Sequence, residues 1–172
     1  ARGMGLKMVP DYPLSTMPEL LERKYDIAPL AKDSQGMPLD WKAMIASALG
    51  APSAAFGTMY QPFDGYKNVA RLPGPPYHFM SQVTRISEDM NQFKAGIEIE
   101  LAYEIPPDAW YFQKNAYATM PFCVLLEAAL QPCGWLASAV GSALQVQEEL
   151  YFRNLDGKGV LHKELLPDSG TL

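Results

Sequence analysis

The sequence predicts an α+β fold in which an antiparallel sheet wraps around one long buried helix. The strongest strand signal is the segment 93–105, FKAGIEIELAYEI, in which apolar and polar side chains alternate as in a half-buried strand. The segment 119–144 is nearly uncharged and rich in Ala, Leu and Val, which is typical of a helix covered on most sides. With 172 residues, 48% of them hydrophobic, the chain has the size and the core of one domain.

Residues 1–66 are predicted to form an N-terminal arm or linker that contains a short helix. Prolines and glycines are frequent over 1–37, where 18–23 can form one or two helical turns. An arm that wraps a domain and a partly ordered linker both fit this composition. Residues 38–49, PLDWKAMIASAL, predict a better helix because their apolar side chains recur at helical spacing, and Gly50 ends it.

Residues 67–172 are predicted to form the main domain, with its C-terminal strands truncated. The prolines of the segment 72–77, LPGPPY, exclude regular structure there. Side-chain alternation predicts strands on both sides of the long helix, at 79–87, 93–105, 146–154 and 159–166. A turn at Asp156 and Gly157 would join the last two strands. The chain starts with Ala and its last residues resemble a turn before another strand, so we expect a piece of a longer protein.

Charge and cysteine content exclude several classes of function. The net charge of −5 and the pI near 5.0 argue against nucleic-acid binding, which needs a basic face. Cys123 and Cys133 lie on one predicted helix, too far apart along it to form a disulfide, and their spacing matches no zinc site. We therefore expect two reduced core thiols in a cytoplasmic protein without a bound metal.

Residues 122–144 are long enough to cross a membrane, but the composition argues against a span. Polar residues and Pro132 interrupt the segment, and no basic flank follows it. The N-terminal residues also lack the apolar stretch of a signal peptide. We expect a soluble protein without a membrane span.

Three blocks of the sequence resemble the FabA-like 3-hydroxyacyl-carrier-protein dehydratases. They are 72–86, LPGPPYHFMSQVTRI, then 105–112, IPPDAWYF, and 120–127, MPFCVLLE. That family has the hotdog fold, a curved antiparallel sheet around one long helix, which implies a hotdog domain over 67–172. The sequence most resembles the dehydratase region of multidomain polyunsaturated fatty acid synthases, where two hotdogs lie in tandem. The segment that starts at Met120 is similar to the first, degenerate hotdog of such a pair.

The resemblance implies a lyase that removes water from a 3-hydroxyacyl thioester held on acyl carrier protein and leaves an enoyl thioester. In the family a histidine takes the α-proton, and a carboxylic acid on the long helix protonates the departing hydroxyl. Backbone N–H groups at the start of that helix hydrogen-bond the thioester carbonyl. The resemblance implies no cofactor.

Carried over by position, the family motif gives this chain only part of a site. Glu127 stands at the acidic position as the general acid of a shared site, and Gln131 supports it from one helical turn further along. Phe122 replaces the glycine at the helix start and, with Cys123, marks the predicted substrate-binding end. Asn115 stands at the histidine position and cannot act as a base. A second hotdog would supply the histidine, so we expect a pseudo-dimer or homodimer and an inactive isolated hotdog.

Two functions fit these residues. In the first, the chain lends Glu127 to a dehydratase site. In the second, Glu127 is a relic and the chain is a structural hotdog that completes a double-hotdog architecture or binds acyl-carrier protein. A hotdog thioesterase also places a carboxylate on the long helix, but the block 72–80 argues against it. His78 and His162 are expected to be packed or surface imidazoles rather than catalytic groups.

Overall fold

The computed structural model describes residues 16–65, 69–153 and 158–172, in which more residues are helical than form strands. The α-helices are α1 (Met17–Glu22), α2 (Trp41–Ala48), α3 (Ser53–Phe56), α4 (Trp110–Lys114) and α5 (Phe122–Ala139). Two 3-10 helices, Thr58–Phe63 and Ser142–Leu144, follow α3 and α5, and the strands are β1 (Gln82–Ile86) and β2 (Ile99–Ala102). A long helix combined with an antiparallel sheet confirms the predicted α+β class.

Local sequence signals explain where the first two helices begin. Pro18 lies in the first turn of α1, and the Glu19 carboxylate accepts a 2.6 Å hydrogen bond from the Thr16 N–H. Asp40 caps α2, because its carboxylate accepts the N–H of Lys42 at 2.9 Å. Helices therefore occupy both regions in which the sequence predicts them, with ends that differ by a few residues.

Strands β1 and β2 pair antiparallel, with Val83 opposite Leu101 and an irregularity between Val83 and Arg85. Both strands are shorter than the predicted segments 79–87 and 93–105. Part of the difference is made up by the end of the chain, which runs beside the residues after β2. The Leu172 N–H donates to the Tyr103 carbonyl at 2.8 Å, and the Tyr103 N–H donates back to Leu172 at 2.9 Å.

The strands predicted at 146–154 and 159–166 are wrong, because the described residues of both segments are irregular. The predicted turn at Asp156 and Gly157 lies outside the described residues. Alternating side chains make a strand only when a neighbouring backbone completes the ladder. Here the Leu165 carbonyl instead accepts the N–H of Met120, just before α5, at 2.8 Å.

Two hydrophobic clusters lie along α5. The arm core packs the N-terminal helices against the last turns of α5, and its members include Trp41, Met44, Phe56, Tyr60 and Trp135. The loop core packs the segment after β2 against the first turns of α5, and its members include Phe79, Tyr111, Phe112, Val124 and Ala128. Residues 16–65 thus contribute to the core that α5 shares, whereas the predicted boundary at 66 stays a prediction.

Helix α5 is buried along one face and open along the other. Val124, Gln131 and Trp135 are buried, whereas Cys123 and Cys133 are exposed free thiols. The expectations of a helix covered on most sides and of core thiols are therefore wrong, because the described C-terminal segments leave one side of α5 open. The apolar stretch Phe122–Leu144 is long enough to cross a membrane, a property that the core helix of a soluble protein can share.

Candidate active site

The Gln131 side chain fixes the geometry around the predicted acid. Its amide oxygen accepts the N–H of Phe79 at 2.8 Å, and its amide nitrogen donates to the carbonyl of Tyr77 at 2.8 Å. The same nitrogen donates to Glu127 Oε1 at 3.2 Å. A backbone N–H can only donate and a carbonyl can only accept, so these contacts leave the amide one orientation. We call this set of three hydrogen bonds the Gln131 clamp.

Glu127 lies one helical turn before Gln131 on α5, with its side chain half-buried. Within the described part of the chain, Oε1 accepts from the clamp and Oε2 has no hydrogen-bond partner. A carboxyl group held in this way has one oxygen oriented by the protein and one that remains available to carry or receive a proton.

Tyr77 is a titratable neighbour of Glu127 that the sequence pattern does not reveal. Burial raises the pKa of Tyr77, and the nearby Glu127 carboxylate and Cys123 raise that pKa further. Its ring also stacks on Trp110, with centroids 6.3 Å apart. Tyr77 therefore lies near Glu127 and Cys123, and its neutral hydroxyl adds a possible hydrogen-bond donor to this region.

The start of α5 carries the predicted substrate-binding residues. Pro121 is the N-cap and offers no side-chain hydrogen bond to the first turn. Helix geometry gives the first amide donors no partner inside the helix. Phe122 is 41% exposed and Cys123 is also exposed, so this end of the helix lies at the surface. Glu127 follows one turn later on the same helix.

Asn115 is held by its own loop. It ends α4, and its side-chain nitrogen donates to the Thr119 carbonyl at 2.9 Å and to the Thr119 hydroxyl at 3.3 Å. Its side-chain oxygen accepts the N–H of Ala116 at 3.0 Å. These bonds close the loop 115–119, which leads into α5. The residue at the predicted histidine position therefore uses its polar atoms to shape the loop.

Neither histidine of the chain is hydrogen-bonded to Glu127. The backbone of residues 77–79 passes α5 with alternate side chains on opposite sides, so Phe79 enters the loop core whereas His78 contacts Trp41, with ring centroids 5.6 Å apart. His78 is thus the packed imidazole that the sequence suggests. His162 is an exposed side chain in the irregular C-terminal segment. Among the described residues, Glu127 and Gln131 come together without an imidazole.

Comparison with known protein families finds a match over more than half of the chain. Residues 72–169, more than half of the chain, match the family described as the FabA-like domain. The chain belongs to this family. The hotdog fold implied by the three sequence blocks is thereby confirmed, with α5 as its long helix. The structure shows this FabA-like domain with the described strands β1 and β2 against that helix.

A longer relative matches most of this chain. One subunit of the polyunsaturated fatty acid synthase of a Thraustochytrium species is 29% identical over 131 residues, which cover 70% of this chain. The chain spans about 9% of the length of that relative. The match supports the resemblance on which the sequence analysis rests.

Sequence reasoning missed two parts of this FabA-like domain. One is the backbone of residues 77–79 as the partner of Gln131, because a contact between positions 52 residues apart leaves no periodic signal. The other is the position of Tyr77 beside Glu127. A buried glutamine on an apolar helix was the available signal, because such a side chain needs hydrogen-bond partners from another segment.

Proposed function

We propose that this FabA-like domain takes part in the dehydration of 3-hydroxyacyl thioesters on acyl carrier protein, with Glu127 as the general acid of a shared site. The observation that carries the proposal is the Gln131 clamp, which orients Oε1 of Glu127 and leaves Oε2 without a partner among the described residues. A positioned acid of this kind can protonate the departing hydroxyl while a base removes the α-proton.

The base comes from a second hotdog in this proposal. His78 lies on the opposite side of residues 77–79, and Asn115 is bound within its own loop. The partner would be a second hotdog of the same synthase, in a pseudo-dimer or a homodimer. The open helix start at Phe122 and Cys123 would receive the thioester carbonyl, whose developing negative charge the first amides and the helix dipole stabilise.

The decisive experiment replaces Glu127 by glutamine in the protein that contains this domain and measures dehydration of a 3-hydroxyacyl thioester on acyl carrier protein. Glutamine keeps the volume and can still accept from Gln131, but it cannot deliver a proton. Loss of general-acid catalysis should reduce kcat by roughly 100-fold or more. The matched control is Glu164→Gln, which changes an exposed carboxylate of the C-terminal segment and should leave kcat unchanged.

The second candidate is a structural hotdog that completes a double-hotdog architecture or binds acyl carrier protein. The observation that favours it is the Asn115 side chain, whose hydrogen bonds all serve its own loop. Unchanged dehydration in the Glu127→Gln protein, with the fold intact, would contradict the acid role and leave this candidate. The cytoplasmic location also stays a prediction.

A further inference from the structure

A cleft of about 800 Å³ is lined by His78, and Glu127 is not among its lining residues. We call it the His78 cleft. Besides His78, the lining includes Trp41 on α2, Trp110 and Tyr111 on α4, and Tyr103 after β2. The volume falls within the range of about 300–1,000 Å³ that is usual for small-molecule sites. The arm core and the loop core meet at this cleft.

His78 lines the cleft and has a buried ring nitrogen without a hydrogen-bond partner among the described residues. Its Nδ1 lies 2.9 Å from the Pro73 carbonyl, and because that oxygen can only accept, Nδ1 carries the proton. Burial lowers the pKa of His78 to about 4, so the ring is neutral at pH 7 and Nε2 holds a lone pair. No described residue donates a hydrogen bond to this buried Nε2. A buried acceptor left unpaired lowers stability and gains by pairing.

The wall of the cleft carries a second incomplete hydrogen bond. The hydroxyl oxygens of Tyr103 and Tyr111 lie 3.0 Å apart. Burial raises the pKa of both groups, so both hydroxyls keep their protons at neutral pH. One proton lies between the two oxygens, and the other has no acceptor among the described residues. The residues that line the cleft therefore include a buried acceptor without a described donor and a buried donor without a described acceptor.

The remaining lining limits the shape and charge of a ligand. Trp41 and Trp110 present aromatic surfaces, which favour stacked or edge-on contacts with a flat ring. The charged side chains that line the cleft are two positive ones, Arg23 and Lys114, and two negative ones, Glu104 and Asp108. Two charges of each sign give no net preference, so an uncharged ligand fits best.

We propose that the His78 cleft is a binding site for a small, uncharged, flat molecule that carries an amide group. The amide N–H pairs with Nε2 of His78, and the amide carbonyl accepts the remaining hydroxyl proton of the Tyr103–Tyr111 pair. Since Nε2 is covered in the structure, the bound ligand displaces the atoms that cover it. This site is separate from the Gln131 clamp, so ligand binding here does not depend on the dehydratase proposal.

Benzamide and acetophenone test the site as a matched pair of probes. They have nearly the same shape and the same carbonyl, but benzamide carries an amide NH₂ where acetophenone has a methyl group. Titration calorimetry on the full protein should show benzamide binding about fivefold more tightly, the value of one hydrogen bond to a buried acceptor. The His78→Phe variant keeps an aromatic ring but loses Nε2, and should bind both probes equally.

Three outcomes would overturn the proposal: neither probe binds up to its solubility limit, the wild-type protein binds both equally, or His78→Phe keeps the preference for benzamide. If His78→Phe fails to fold by circular dichroism, the nitrogen-15 signal of His78 Nε2 decides. That signal should shift with benzamide and stay unchanged with acetophenone. An Nε2 chemical shift that does not change when benzamide is added would contradict the proposed site.

Discussion

Residues 77–79 present one side to helix α5 and the other to the His78 cleft, and the two sides differ in how their polar atoms are paired. Toward α5, the backbone of Tyr77 and Phe79 and the side chain of Gln131 form a closed set of hydrogen bonds. Toward the cleft, His78 Nε2 has no described donor. A hydrogen-bond network in which every polar atom is paired holds one geometry, whereas a buried polar atom without a partner gains free energy when a ligand pairs with it. The side toward α5 holds Gln131 in place, and the side toward the cleft carries the unpaired nitrogen on which the proposed ligand binding depends.

Replacing Gln131 by leucine should remove the hydrogen bonds that join residues 77–79 to α5, and it should have the largest effect on stability. The variant leaves the Phe79 N–H and the Tyr77 carbonyl without their buried partner, which should cost about 3 kcal/mol of unfolding free energy. Urea unfolding measures this loss. Gln145→Leu is the matched control, because Gln145 is exposed and its replacement should change stability by less than about 0.5 kcal/mol. Equal losses in the two variants would contradict the clamp.

The buried, neutral imidazole of His78 at the cleft should make the stability of the protein depend on pH. An unfolded His78 takes up a proton below about pH 6.5, whereas the folded imidazole stays neutral until about pH 4. Stability is therefore present above pH 6.5 and is lost as the pH falls toward 4, by about 2 kcal/mol between about pH 7 and pH 4.5.

Unfolding of the wild-type protein and of His78→Phe across this pH range isolates the contribution of His78. Both proteins share every carboxylate, including Glu104 and Asp108 at the cleft, so the difference between their pH profiles belongs to the imidazole. Phenylalanine has no titrating group, and its profile should be flatter by the amount given above. Parallel profiles would mean that His78 is not buried in the neutral form.

Tyr77→Phe should have the smallest effect on the free energy of unfolding. It tests whether the Tyr77 hydroxyl belongs to the hydrogen-bond network that faces α5. The ring contacts with Phe79 and Trp110 remain, and no described residue hydrogen-bonds the Tyr77 hydroxyl. We expect the free energy of unfolding to change by less than about 0.5 kcal/mol. Urea unfolding checks this value. A loss above about 1 kcal/mol would show that the hydroxyl is bonded, with Glu127 as the nearest candidate.

The sequence was sufficient for the local parts of this site. Glu127 and Gln131 are four positions apart on an apolar helix, and that spacing alone places them in contact. The contacts that hold Gln131 come from residues about fifty positions earlier, which no periodicity reveals. Side-chain alternation at 146–154 and 159–166 was misleading for the same reason, since a strand also depends on a neighbouring backbone. The sequence pattern therefore predicts contacts within a helix but not contacts between segments that are distant in the chain.

The hydrogen bond from the Tyr60 hydroxyl to the Ser138 carbonyl, 2.6 Å long and spanning 78 positions, has a consequence for how the chain reaches its fold. A loop of that length must close before Trp135 is covered, and contacts so distant in sequence slow folding. A fragment that starts at Leu72 would contain all the residues that match the family. It would nevertheless expose Trp135 and Ala139 to water, because the N-terminal helices that pack on them would be missing. During synthesis the N-terminal helices can pack on one another and on β1, but their shared core is completed only when the last turns of α5 emerge.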